Sequence, residues 1–244
     1  TPNGLWGALM LWCNRNNFLP RGNTNWDRSY EKAYEKGVNT YIDGSHGGGR
    51  TATGSGPVTW YHDGSPAGIA DLCGCMWEWV AGLRIVGGEI QIIPYGNSMK
   101  ADCDMSAGST EWKAIKPDGQ FVNPGTPGTL HYDLVSGKIV IGTSTNSTFA
   151  NNIPLSGLAA ASGVSIPQIV KALGLMKDSA DIYPASGHQL YVNTDGERLP
   201  FRGSGFSSTS GGGLGALHLG SARSHVHHNV SFRSAYDEKL ATGN

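Results

Sequence analysis

No stretch of this 244-residue chain approaches the ~20 consecutive apolar residues that a membrane-spanning helix needs, so no membrane insertion is expected. Charge is scarce as well. Asp, Glu, Lys and Arg make up 15% of the residues, and the formal net charge is −1. Proteins that grip nucleic acid or an anionic membrane surface carry a basic face. None is written here, and neither partner is expected. Cysteine is limited to Cys13, Cys73, Cys75 and Cys103, too thin a set for a disulfide scaffold. Cys73 and Cys75 are spaced C-x-C, which is neither a zinc-knuckle pair nor the redox C-x-x-C. Free, partly buried thiols are the expectation. Catalytic signatures are missing too. The glycine-rich run 44–57 lacks the Gly-Lys-Ser/Thr of a phosphate loop and reads as a connector, and there is no G-x-S-x-G or H-E-x-x-H. The chain begins at Thr1 without a signal peptide, so an N-terminal part is expected to be missing.

What the chain has in quantity is glycine, 36 residues, about twice the usual share. With 39% hydrophobic residues, it can fill a core but must turn often. Apolar residues at Leu5, Trp6, Leu9, Met10, Trp12 and Cys13 predict a first helix over 5–18. A second is predicted over 166–176, with Ser165 as N-cap and Pro167 in its first turn. Residues 26–37 have helix-forming composition but few core residues, and read as a loop or a marginal surface helix. Hairpins are expected at 83–93 about Gly87–Gly88, at 111–123, and at 129–142 about Ser136–Gly137. Strands follow at "HQLYVN", "RLPFRG", "GALHL" and "NVSFRSAY". The fold class is therefore α+β, one domain over 1–244 with few helices, mixed or antiparallel sheets and long ordered loops.

Two segments carry a family resemblance. "GCMWEWV" (74–80) matches the G-N-V-W-E-W core motif of the formylglycine-generating-enzyme branch of the C-type lectin fold, and "SFR" (231–233) matches its closing G-F-R. From Arg202 to Ala235 the chain can be laid without a gap on the closing run of a more specific group, the variable proteins of diversity-generating retroelements. That run reads R-G-G-x-W-N-N-G-x-N-A-G-V-F-A-L-N-L-N-N-A-R-S-N-x-N-N-N-I-G-F-R-S-A. The resemblance implies a C-type lectin-like fold, a less typical middle insertion at about 95–160 and a diversified C-terminal region at about 202–236.

Where that run has Asn, this chain has Ser207, Ser208, Gly211, His218, Gly220, Ser221, His225, His227, His228 and Asn229. Asn codons become Ser, Gly or His codons when only their adenines change, and these retroelements are known for mutagenising adenines. With the adjoining Gly205, Phe206 and Val226, these positions form the expected binding face, Phe206 standing at its rim as the one large anchor. The apparent framework is apolar or Arg: Leu214, Ala216, Leu217, Leu219, Ala222, Arg223, Val230, Phe232 and Arg233, all expected to pack inward or pair with buried acids. Trp77, Glu78, Trp79 and Arg202 are expected to be structural. A buried Glu78 needs a cationic partner, with Arg223 and Arg233 as candidates.

The implied function is ligand binding, as a receptor-binding or adhesin module. The implied partner is a surface receptor, protein or glycan, on a host or neighbouring cell, engaged through multivalent display. The implied location is a phage tail tip or a bacterial surface. Three alternatives stay open. An oxidase of the resembled branch would use a C-terminal cysteine pair, and no cysteine follows Cys103. His225, His227 and His228 can be imagined around zinc, at a spacing that is not specific. A calcium-independent sugar-binding lectin is the third. Cys75 stands where the motif's Asn belongs to a calcium-site region, and a thiol is a poor ligand for that hard cation. No catalytic residue, no metal and no cofactor is expected.

Overall fold

The computed structural model describes residues 1–235; Tyr236, at the end of the expected diversified region, lies outside them. Helix α1 (Asn3–Arg15) buries Trp6, Met10 and Cys13 along one face, as their i, i+3/i+4 spacing requires. It starts two residues before the expected helix and stops three short of it, because Asn17 takes a left-handed conformation (φ 54°). Strands β1 (Asn39–Asp43) and β2 (Gly48–Thr51) form a small antiparallel pair. The run 44–57, expected to be a connector, thus contains a strand. Its glycines hide strand propensity but allow close approach: a Cβ on Gly49 would lie 2.2 Å from the Tyr41 carbonyl.

The other strands are β3 (Trp77–Trp79), β4 (Leu83–Val86), β5 (Glu89–Ile92), β6 (Lys113–Ile115), β7 (Phe121–Val122), β8 (His131–Val135), β9 (Lys138–Gly142), β10 (Ala150–Pro154), β11 (Ala159–Ala160), β12 (Gln189–Asn193), β13 (Glu197–Arg202), β14 (Leu217–Ser221) and β15 (Val230–Phe232). Nine of them run in the order β10-β12-β14-β13-β4-β5-β8-β9-β11, with β3 joining at β13, β15 at β3, β6 at β5 and β7 at β6. The sheet is mixed: β12 and β14 are parallel, as are β15 with β3 and β11 with β9. The α+β class with few helices is therefore observed. The three expected hairpins are present. Their turns use φ 56° and 87° at Gly87–Gly88 and φ 50° and 77° at Ser136–Gly137, the left-handed pairs that tight two-residue turns require.

Helix α2 (Gln168–Ala172) is shorter than expected. Ser165 does not cap it. Pro167, in extended backbone (ψ 152°), occupies the N-cap position, so the helix starts after the proline rather than around it. Residues 26–37 form no helix but an irregular excursion closed by an Arg28–Lys36 bridge, and they are more than surface: Glu35 is buried, accepting from Arg21 and from the Trp60 indole.

One core cluster joins α1, α2 and the inner face of the sheet, from Trp6 and Leu72 to Leu190, Val192, Leu217 and Leu219. Strand alternation explains the last four. Residues 190 and 192 of β12 and 217 and 219 of β14 point inward, so 191, 193, 218 and 220 share the other face. A smaller cluster of Trp77, Phe201 and Ala216 lies on that opposite side, with Trp79, Tyr191 and Val230 against it.

Candidate functional site

The outward face of β14 and β12 continues into a row of rings. Tyr191 lies 5.2 Å from His218 between centroids, and His218 lies 5.5 Å from Phe201. Phe201 is 5.6 Å from His225, which stacks 6.0 Å from His227, itself 4.2 Å from His228. His228 is 6.2 Å from Phe206, and Phe206 6.4 Å from Tyr41 of β1. The row therefore spans from β12 to the β1–β2 pair. Arg50 of β2 closes it, its guanidinium 4.6 Å above the Tyr41 ring and its Nη1 donating to the His228 carbonyl at 3.3 Å.

The backbone beneath this row is held by bonds that ignore side-chain identity. Phe206 N–H donates to the Cys75 carbonyl, Trp26 N–H to the Phe206 carbonyl, Thr209 N–H to the Thr24 carbonyl, and Trp77 N–H to the Asn229 carbonyl, at 2.7–2.9 Å. Gly74 N–H donates to the Gly203 carbonyl at 2.7 Å. Among the described residues, the side-chain hydrogen bonds of the expected variable positions stay within the run. Ser208 Oγ accepts from Gly205 N–H, His218 Nδ1 from Gly220 N–H, and His227 pairs with Asn229.

The expected face is open in part. Ser207, His225, Val226, His227 and His228 are exposed, Val226 at 90%, while Ser208, Gly211, His218, Gly220 and Asn229 are half-buried. Three positions depart from the expectation. Phe206 is not a rim anchor: it is 3% exposed, clamped by its two main-chain bonds and covered by Tyr41 and His228. Gly205 is buried beside Trp77, whose Cδ1 would lie 3.1 Å from an added Cβ. Ser221 is buried because it shares the inward phase of β14 with Leu217 and Leu219. Replacing Phe206 with alanine is therefore expected to cost about 3 kcal/mol in chemical denaturation. The triple exchange of His225, His227 and His228 to asparagine is expected to move the midpoint by less than about 1 kcal/mol.

The structural residues also divide. Trp77 and Glu78 are buried in β3, and Trp79 packs edge-on to Phe201 at 4.1 Å between centroids. Glu78 takes Arg233 as its partner, through Nη2 at 2.8 Å and Nε at 3.1 Å. Arg223 does not reach Glu78. It forks onto Glu197 from an exposed position, and Ala222 is exposed with it, because the chain leaves β14 after Ser221. Phe232 does not pack inward either. It is 76% exposed on a three-residue strand that pairs only with β3 among the described residues, whereas Val230 does pack on the small cluster. Arg202 is fully buried, paired with carbonyls and Asn3 rather than with an acid.

Burial sets the electrostatics. His218 is pushed down to about 4, first by burial and then by the neighbouring His225, so its ring is neutral at neutral pH. The Cys73 thiol is pushed up to about 12 by burial, and Cys13 up to about 11, which leaves both unreactive at that pH. All four cysteines are free, and Cys13, Cys73 and Cys75 are buried. Among the described residues, no three His, Cys, Asp or Glu side chains are grouped as metal ligands.

Several residues of this face escape a reading of the chain's end alone. Arg50 comes from the glycine-rich segment and Tyr41 from just before it, where no strand is expected, and Asn151 and Asn152 come from the middle of the chain. Tyr191 and Asn193 carry a usable signal, the alternation of "LYVN" against Leu190 and Val192. No protein-family model matches this chain, and no curated protein matches it.

Proposed function

We propose that the chain is a ligand-binding scaffold with a C-type lectin-like fold, of the kind used by the variable proteins of diversity-generating retroelements. In this reading, adenine-directed mutagenesis exchanges the side chains between about residues 205 and 229, and the face they form binds a receptor on a host or neighbouring cell. The supporting observation is the division of labour beneath the ring row. Main-chain bonds and framework side chains hold the segment, while, among the described residues, the side chains of the exchangeable positions hydrogen-bond only within it. Such a segment can change residues without losing its path, since exposed exchanges cost within ~0.5 kcal/mol and truncation of a buried Leu ~2–5 kcal/mol.

With Phe206 covered, the anchors left on the surface are Val226, the three exposed imidazoles and the Tyr41 and Arg50 margin. Binding hot spots favour Tyr, Trp and Arg. Monovalent affinity is accordingly modest, and display in several copies, on a phage tail tip or a bacterial surface, raises it.

The test is population sequencing of the encoding locus. Changes are expected at adenines of the codons between 205 and 229, beside a near-identical template repeat and a reverse transcriptase gene. An invariant locus would overturn the proposal.

A further inference from the structure

Beside the ring row lies an open hollow of about 410 Å³ over three neighbouring strands, β10, β12 and β14. Register places its walls. Asn152 pairs across to Tyr191, and Tyr191 to His218, so these three form one row on the outward face. Ala150 pairs with Asn193 in the next row, toward which Gly220 also faces, two residues beyond His218. Large side chains in one row and two small residues flanking an amide in the other produce the depression. Its aromatic side is continuous, since Trp77 packs edge-on to both Tyr191 (6.2 Å) and His218 (5.7 Å).

The chemistry of the lining is narrow. Among the described residues, no Asp, Glu, Lys or Arg borders the hollow. It therefore offers nothing to neutralise a phosphate, a sulfate, a carboxylate or an ammonium group, and desolvating any of these there would be unfavourable. It offers instead the carboxamides of Asn151, Asn152 and Asn193, each both donor and acceptor, a phenol and an uncharged imidazole. A ligand matched to that set is neutral, carries hydroxyls that donate and accept together, and has a C–H face to lay on Tyr191.

From these observations we infer that the hollow is a calcium-independent subsite for a neutral pyranose, a hexose or N-acetylhexosamine unit of a surface glycan. The inference deepens the ligand-binding reading above and rests on it. Asn152, Tyr191 and Asn193 lie outside the exchangeable segment and form a fixed floor. The rim contains exchangeable positions 218 and 220, and position 211 stands beside the Tyr191 hydroxyl. A Cβ added at Gly211 would stand 3.3 Å from the Tyr191 hydroxyl, and one at Gly220 2.8 Å from His218 Cε1. Exchange there reshapes the hollow's edge while its amides stay, so the sugar class is constant and the preferred sugar changes.

Saturation-transfer NMR on the full chain tests this with methyl α-mannopyranoside, methyl β-galactopyranoside and methyl N-acetyl-β-glucosaminide, each with and without EDTA. The sialic acid methyl glycoside serves as the anionic control. At least one neutral glycoside is expected to bind at millimolar concentration, unaffected by EDTA, and the anionic control is not. Asn193→Leu and Tyr191→Leu are each expected to weaken that binding about tenfold or more, the loss of a hydrogen-bonding or stacking partner, while Lys138→Ala, at an exposed position of β9, leaves it unchanged. Absence of transfer to all three neutral glycosides overturns the inference, as does binding that needs calcium or survives both leucine variants. The sequencing experiment separates the two claims. A varying locus without sugar binding removes only the subsite, and sugar binding through Asn193 at an invariant locus removes only diversification.

Discussion

Arg202→Ala is expected to remove about 4 kcal/mol of stability, a large share of what a domain of this size holds. The guanidinium is 0% exposed. Its Nε donates to Asn3 Oδ1 at 3.0 Å, Nη1 to the Gly174 carbonyl at 3.1 Å and Nη2 to the Leu173 carbonyl at 2.9 Å. One side chain of β13 thereby ties the first turn of α1 to the end of α2. No carboxylate takes part in these bonds. Burial lowers the guanidinium pKa to about 10, with Tyr132 and Tyr183 opposing, so the group stays charged at neutral pH. Alanine leaves a void and strands the Gly174 carbonyl and the Asn3 amide oxygen without these donors. The Leu173 carbonyl keeps a second donor, Asn3 Nδ2 at 3.1 Å. Arg202→Lys retains the charge but not the planar fork, and about half the loss is expected. Urea denaturation followed by tryptophan fluorescence measures both variants. A loss below about 1 kcal/mol for alanine would show that the carbonyl set is not what joins the helices to the sheet.

Acidification is expected to be the second large effect, with buried histidine as its origin. His188 is 5% exposed, and burial alone pushes its pKa down to about 4 from an ordinary 6.5. Its Nδ1 accepts from Gly215 N–H at 2.9 Å, so the neutral ring carries its proton on Nε2. Above pH 6.5 neither the folded nor the unfolded chain protonates this residue, and its contribution is fully present. Between pH 6.5 and 4 the unfolded chain takes a proton that the folded one refuses, and stability falls by about 3 kcal/mol from this residue. His218, also lowered to about 4, acts in the same direction. Asparagine is the informative replacement at 188. Its Oδ1 can accept from Gly215 N–H, and it tolerates the left-handed backbone found there (φ 47°). His188→Asn is expected to flatten the pH dependence of stability between about pH 7 and 4 by about 3 kcal/mol, whatever its stability at pH 7. Denaturation midpoints that fall in parallel for the two proteins would assign the acid sensitivity elsewhere.

Local grammar made much of the fold legible. The hairpins at Gly87–Gly88 and Ser136–Gly137 follow from backbone angles that few residues other than glycine accept comfortably, and α1 follows from a stripe that buries Trp6, Met10 and Cys13. The inward phase of Leu217 and Leu219 and the outward phase of His218 follow from strand alternation. The same alternation, carried one step further, puts Ser221 inside, against the outward place its likeness to the exchangeable positions had suggested. Phe206, Arg223 and Phe232 were illegible for a different reason. Their environments depend on segments distant in the chain, on Tyr41 and the Cys75 carbonyl for Phe206 and on Glu197 for Arg223.

The order of residues alone determined the α+β class, the hairpin turns, a buried Glu78 needing an arginine and a chain end in which apolar positions alternate with Ser, Gly and His. Those are consequences of backbone angles, periodicity and the cost of an unpaired charge, all of which act over a few residues. Tertiary structure decided that Arg233 and not Arg223 answers Glu78, that Phe206 lies beneath the surface, and that Asn152, Tyr191 and Asn193 stand beside His218. Each of those facts depends on which remote strand packs alongside, and pairing between remote strands is set by the whole sheet closing on its core.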